Sequence, residues 1–185
     1  MNNPILLVDD EVNVLSSLTR ALFDEPYQVT CAKSGEEALE LMVSQPFKLV
    51  ISDERMFGMQ GSELLAIAKE RYPDTLRILL TGHATLEAAM KAVNQGEIYR
   101  FFTKPWNDTE LKFAIRSAIE RYDLEAENRR LLATVKSQAM EIKVLEKRYP
   151  GISRVEKDQR GSFVLPELSD EEINQLMAEC EQECG

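Results

Sequence analysis

Lys48-Leu49-Val50-Ile51-Ser52-Asp53 is a short apolar run closed by a carboxylate. A run of this length with no polar alternation suits a strand buried on both faces. The same form recurs along the chain. Ile5-Leu6-Leu7-Val8 runs into Asp9-Asp10, Arg77-Ile78-Leu79-Leu80 into Thr81, and Ile98-Tyr99-Arg100-Phe101-Phe102-Thr103 into Lys104. Tyr27-Gln28-Val29-Thr30-Cys31 reads as a further strand. Between these runs lie amphipathic stretches, beginning with Val12, Leu15, Leu18, Ala21 and Leu22 at intervals of three and four. Ser34 followed by Glu37 has capping-box spacing before Ala38, Leu39 and Met42, and helical spacing returns over 62–71, 86–93 and 108–122. Five strands alternating with five helices predict an α/β fold, a parallel sheet doubly wound by helices on both faces. All strands of such a sheet point their carboxyl ends to one rim, where open α/β sheets place their sites.

Four of the five runs thus deliver to that rim a residue able to handle a phosphoryl group. Asp9, Asp10 and Asp53 brought together repel one another and raise each other's pKa unless a cation neutralises them. Mg²⁺ takes a few carboxylates and keeps positions for water and phosphate oxygens, so it suits this set. Lys104 and the Thr81 hydroxyl can hold further phosphoryl oxygens, and Gly82 leaves room for the backbone to approach. One carboxylate then serves as nucleophile and forms an acyl phosphate. Helix capping would account for one such aspartate, but not for all three together with Thr81 and Lys104.

With these residues in this order, residues 4–122 resemble the receiver domains of response regulators in bacterial two-component signalling. Asp9-Asp10 matches that family's acidic pair, Asp53 its phosphoacceptor, Thr81 its switch hydroxyl and Lys104-Pro105 its lysine-proline pair. The resemblance implies a flavodoxin-like sheet order 2-1-3-4-5 and a cis bond before Pro105. It also implies that Asp10, Asp53 and the Arg55 main-chain carbonyl bind Mg²⁺, with Asp9 acting through water. Phe101 falls at the family's switch-aromatic position. One departure is plain: Phe57 and Gln60 stand where the family usually has proline and aspartate. That places loop stiffness, partner contacts and phosphoryl lifetime in question more than phosphorylation itself.

The last helix continues past a receiver's usual end. Leu124, Asn128, Leu131, Val135, Gln138, Ile142, Leu145 and Tyr149 follow steps of four and three. With Asn128, Val135 and Ile142 at a and Leu131 and Leu145 at d, this heptad seam suits a parallel two-stranded coil. A single amphipathic helix folding back on its own domain is the alternative. Gln138 at d and a facing Glu141–Glu146 pair weaken the seam. Pro150-Gly151 ends the helix. Beyond it, residues 152–155 and 162–165 have hairpin composition, and Ser169-Asp170-Glu171-Glu172 resembles the start of a short helix. The expected division is a receiver over 1–122, a helical extension and candidate dimeric coil over 123–149, and a small tail over 150–185.

Composition narrows the partners. The chain has 185 residues, 44% of them hydrophobic, and a net charge of -10 shared equally by the two sides of Tyr122. No basic segment is hidden, which argues against nucleic acid or an anionic membrane as partner. Cys31, Cys180 and Cys184 form no disulfide framework or metal pattern, and no run approaches a membrane span or signal-peptide core. A cytoplasmic protein is expected.

The expected function is a response regulator that receives a phosphoryl group on Asp53 from a histidine kinase. Its output would pass by protein contact to an unnamed downstream protein, since no DNA-binding segment is recognised. It is not expected to be an enzyme beyond phosphoryl transfer to itself and slow self-dephosphorylation. A constitutive dimeric scaffold is one alternative. An aspartyl-phosphate phosphatase of haloacid-dehalogenase type is another, but that type carries Asp-x-Asp whereas Asp9 and Asp10 are adjacent. His83 and Trp106 read as loop residues beside the rim.

Overall fold

The computed structural model describes residues 3–82 and 98–149, and the backbone of residues 156–157 and 163–164. The expected helix over 86–93, His83, Cys180, Cys184 and the short helix after Ser169 lie outside the described residues. Five strands form one parallel sheet: β1 (Pro4–Val8), β2 (Gln28–Ala32), β3 (Leu49–Asp53), β4 (Leu76–Thr81) and β5 (Arg100–Thr103). Their order is β2-β1-β3-β4-β5, as the resemblance implied. The described helices are α1 (Val12–Ala21), α2 (Gly35–Ser44), α3 (Gly61–Arg71) and the long α4 (Asp108–Arg148).

Strand parity divides the core in two, because successive side chains point to opposite faces. Ile5, Leu7, Leu49, Ile51, Ile78 and Leu80 pack with Leu15 and Leu18 of α1, with Leu22 just after it, and with Leu111, Ile115 and Ile119 of α4. Leu6, Val8, Val50 and Leu79 pack on the other face with Ala38 and Met42 of α2 and Leu64, Leu65 and Ala68 of α3. Each leucine, isoleucine, valine or methionine among them, fully buried, contributes about 1.5–3 kcal/mol, and the alanines less. The absence of polar alternation in β1 and β3 therefore has its cause in two covered faces.

Helix starts are set by local bonds. Ser34 Oγ accepts from Glu37 N–H at 3.1 Å, and Glu37 Oε2 accepts from Lys33 N–H at 2.7 Å. Gln60 N–H donates to Glu63 Oε2 at 3.1 Å at the head of α3. Asn107 Oδ1 caps α4 by accepting from the N–H groups of Thr109 and Glu110. These oxygens satisfy donors that have no partner within the helix.

Two compact units are distinguished, Met1–Arg130 and Leu131–Gly185. In the first, Lys48 pairs with Asp123, and Arg129 Nη1 lies 3.1 Å from Asp74 Oδ1. The buried face of α4 ends at Ile119, so these ion pairs carry its attachment farther than its apolar contacts do. In the second unit, β6 (Glu156–Lys157) and β7 (Phe163–Val164) pair antiparallel. The expected first strand, 152–155, lies outside the described residues. The observed pairing leaves a five-residue connection, within the usual range for hairpins.

Candidate functional site

Parallel pairing carries four carboxyl ends of the sheet to one place. Val8 is level with Ser52 and Asp53 with Leu80, so Asp9 and Thr81 each emerge one residue beyond a register partner at the same rim. Thr81 in turn lies opposite Thr103, and Lys104 N–H donates to the Thr81 carbonyl at 2.8 Å. The Lys104-Pro105 bond is cis.

Lys104 Nζ lies 2.7 Å from Asp53 Oδ1 and 3.0 Å from Asp9 Oδ2. Asp9 is fully buried and Asp53 is 6% exposed. One ammonium thus offsets part of the repulsion between two carboxylates. Burial works to lower the pKa of Lys104, but its bonds to Asp53 and Asp9 outweigh this and hold the pKa above the ordinary lysine value. Burial also raises the Asp9 pKa. The Glu11 N–H and Lys104 oppose that rise, and the neighbouring Asp53 adds to it. The Glu11 N–H donates to Asp9 Oδ1 at 2.9 Å, and the Arg55 N–H donates to Asp53 Oδ2 at 2.9 Å. Both acids are thereby held in fixed rotamers with one oxygen each on Lys104.

Asp10 is exposed at the rim, and its Oδ2 accepts from the Phe57 N–H at 3.0 Å. The structure therefore brings Asp9, Asp10, Asp53, Thr81, Lys104 and the loop from Arg55 to Phe57 together. Phe101 stands apart from the carboxylates. It lies level with Leu79, two residues before Thr81 on the neighbouring strand, so Thr81 and Phe101 share one face of the sheet. Thr81 is fully buried with its hydroxyl donating to the Gly82 carbonyl at 3.1 Å, and Phe101 is partly buried against the α2–α3 side of the core. Trp106 packs partly buried on the opposite side, its indole N–H donating to Asp108 at 3.1 Å.

Three features escape a reading by residue type. Glu54, next to Asp53, is only 5% exposed, and its carboxylate accepts from both the N–H and the hydroxyl of Ser62 at 2.9 and 3.0 Å. It ties the end of β3 to the head of α3. The Gly61 N–H bonds the Glu54 carbonyl at 3.1 Å, and a Cβ on Gly61 would stand 2.0 Å from the Asp53 carbonyl oxygen. The Phe57 main chain is the third. The first joins side chains and main chain eight residues apart, and the others involve main-chain groups.

Among the described residues, no group of three histidine, cysteine or acidic side chains is gathered tightly enough to hold a metal by itself. The rim instead offers two or three carboxylates beside main-chain carbonyls. These are hard oxygen donors, the kind and number that suit a partly hydrated Mg²⁺. No helix among the described residues is long and apolar enough to cross a membrane.

Comparison with known proteins agrees with this architecture. The model of the response regulator receiver domain matches residues 5–116. The hydrogenase transcriptional regulatory protein HoxA of Cupriavidus necator is 35% identical over 127 residues, 69% of this chain and 26% of that protein. The transcriptional regulatory protein GlrR of Escherichia coli K12 is 35% identical over 142 residues, 77% of this chain and 32% of that protein. The chain thus spans about a quarter to a third of the length of these curated relatives. Among solved structures, the signal receiver domain of an HD domain-containing protein from Pseudomonas fluorescens Pf-5 is 43% identical with a TM-score of 0.64, over 68% of this chain and 92% of that one. A structure titled adenylate cyclase from Rhodopirellula baltica is 41% identical with a TM-score of 0.68, over 72% of this chain and 98% of that one. On its fold and on this match, the chain belongs to the response regulator receiver domain family.

Proposed function

We propose that this chain is a phosphorylation-controlled switch that takes a phosphoryl group on Asp53 from a histidine kinase. The observation that carries this reading is the pairing of the buried Asp9 and Asp53 with a half-buried Lys104, whose Nζ lies 2.7 Å from one oxygen of Asp53. A carboxylate oxygen of Asp53 attacks the phosphorus of a phosphohistidine. The new O–P bond forms as the N–P bond breaks, and the electron pair returns to the imidazole nitrogen. Lys104 then holds a phosphoryl oxygen in place of a carboxylate oxygen, and the Thr81 hydroxyl turns from the Gly82 carbonyl to another. Asp10, Asp53 and the Arg55 carbonyl would hold Mg²⁺ directly, and Asp9 would act through water. The bound cation supplies positive charge against the developing phosphoryl oxygens.

Movement of Thr81 frees space on the sheet face it shares with Phe101, and the ring follows inward. This is a two-state element biased by local charge. Output passes through protein contacts, with the chain acting as a dimer through 124–149 as a parallel coil. Support for the coil comes from its a and d positions: Leu131, Val135, Ile142 and Leu145 are 45–59% exposed. HoxA and GlrR are by name transcriptional regulators. A downstream protein contact is the output favoured for this chain by its acidic balance.

The test is acyl-phosphate detection by intact mass after treatment with a small phosphodonor and Mg²⁺. Wild type gains one phosphoryl group, Asp53→Asn gains none, and both unfold at similar urea concentrations. An unlabelled wild type under conditions that label other receivers refutes the reading.

A further inference from the structure

The loop between β3 and α3 leaves the Phe57 side chain 91% exposed. So large an apolar group in water contributes nothing to the core. Its main-chain N–H does have a partner, Asp10 Oδ2 at 3.0 Å. The position thus supplies the rim with a backbone donor, and the side chain is incidental to it. Proline, which resembling domains usually carry here, has no N–H and cannot make this bond. Gly58 follows with φ of 85°, a conformation that favours glycine and sets the turn just after the donor.

Asp10 is the one exposed member of the acidic set. Asp9 and Asp53 each have an oxygen on Lys104 and another on a main-chain N–H. Neither of those bonds reaches Asp10. An exposed carboxylate samples several rotamers, and ordering it on a cation costs free energy. A bond from N–H to a carboxylate is charge-assisted and directional. It occupies one lone pair of Oδ2 and leaves Oδ1 for another partner.

We infer that the main-chain N–H of Phe57 is a positioning group that pre-orients Asp10 for a divalent cation, a contact this chain makes because position 57 is not proline. The inference rests on the reading of Asp10 as a ligand for Mg²⁺. Groups that orient a metal ligand by hydrogen bonding typically alter affinity about 10–100-fold when removed. The lower end applies here, since the rest of the ligand set is unchanged.

The test is a Mg²⁺ titration of the full chain without phosphodonor, followed by Trp106 fluorescence and by the residue-57 amide in nitrogen-15-labelled protein. Phe57→Ala keeps the N–H and holds wild-type affinity within about twofold, whereas Phe57→Pro binds roughly tenfold more weakly. Equal or tighter binding by Phe57→Pro overturns the inference, as does a loss in Phe57→Ala as large as in Phe57→Pro. Should Phe57→Pro fail to fold, the wild-type amide decides: its signal moves on Mg²⁺ addition with the midpoint of the fluorescence change, and an unmoved signal overturns the inference. A wild type that binds no Mg²⁺ removes both the inference and the metal reading. Intact binding differences with no labelling of Asp53 remove the phosphoacceptor reading alone.

Discussion

Gly61→Ala tests whether the geometry of Asp53 is fixed by the packing of α3 on the end of β3. The added Cβ would stand 2.0 Å from the Asp53 carbonyl oxygen, 2.8 Å from its carbon and 3.0 Å from Glu54 Cα. Carbon and carbonyl oxygen ordinarily meet no closer than about 3.3 Å, so a backbone segment must move by more than about 1 Å. Both sides are main chain, and no side chain can swing away. Overpacking of this kind costs about 3 kcal/mol, and straining the Gly61–Glu54 backbone bond adds about 1 kcal/mol. Alanine's better helix propensity returns less than about 1 kcal/mol. The expected net loss is about 3 kcal/mol. With a urea m-value of about 1–3 kcal/mol per molar, the unfolding midpoint falls by at least about 1 M. Gly82→Ala is the matched control, because among the described residues its Cβ would meet the Nη2 end of the exposed Arg55 side chain at 2.9 Å, a flexible end that can swing away. Its stability should stay within about 0.5 kcal/mol of wild type. A Gly61→Ala protein that loses less than about 1 kcal/mol would refute the argument that backbone contact fixes Asp53.

Glu25 tests the link between the end of α1 and the start of α4. Its bidentate pairing with Arg116, at 2.7 and 3.1 Å, is the largest cause holding its pKa below the ordinary 4.5, against an opposing effect of burial. The folded pKa is depressed, so this stabilisation is fully present above about pH 4.5 and is lost as pH falls through the lowered value. The stability difference between wild type and Glu25→Gln in urea should therefore narrow on acidification; a constant or widening difference rejects the pairing. For the coil, Asn128→Val removes the polar a residue and should change oligomer size or register in analytical ultracentrifugation. Wild type that sediments as a monomer at every working concentration, phosphorylated or not, rules out dimerisation through this helix.

The sheet was legible because its signals are side chains. Ile5 to Val8 and Leu49 to Ile51 are apolar on both parities, and both parities are buried. Asp53 and Thr81 end their strands and Lys104 follows its own directly, so parallel pairing alone brings them to one rim. The Ser34–Glu37 cap was legible for the same reason, although Glu37 reaches Lys33 N–H rather than that of Ser34. What escaped was carried by the main chain or by partners distant in sequence. Glu54 looks like a solvated loop acid until Ser62 is seen to satisfy both of its oxygens. The Phe57 N–H has no residue signature beyond not being proline. Lys48 with Asp123 and Arg129 with Asp74 join residues whose proximity only the packed fold creates. In the tail, apolar composition indicated a hairpin, but strand length and connection set the register that was found.

The central place of β1 has a consequence for the protein's synthesis. It lies between β2 and β3 and is buried on both faces, yet it precedes both partners in the chain. At about 5–20 residues per second, β3 leaves the ribosome seconds after β1. During that interval Ile5-Leu6-Leu7-Val8 is an unpaired apolar segment of the sort that seeds aggregation. Asp9-Asp10 follows it directly, and flanking charges of this kind oppose association of such segments. Asp9 and Asp10, proposed above to hold the cation, would thus also oppose association of the nascent chain, and neutralising both should lower soluble yield.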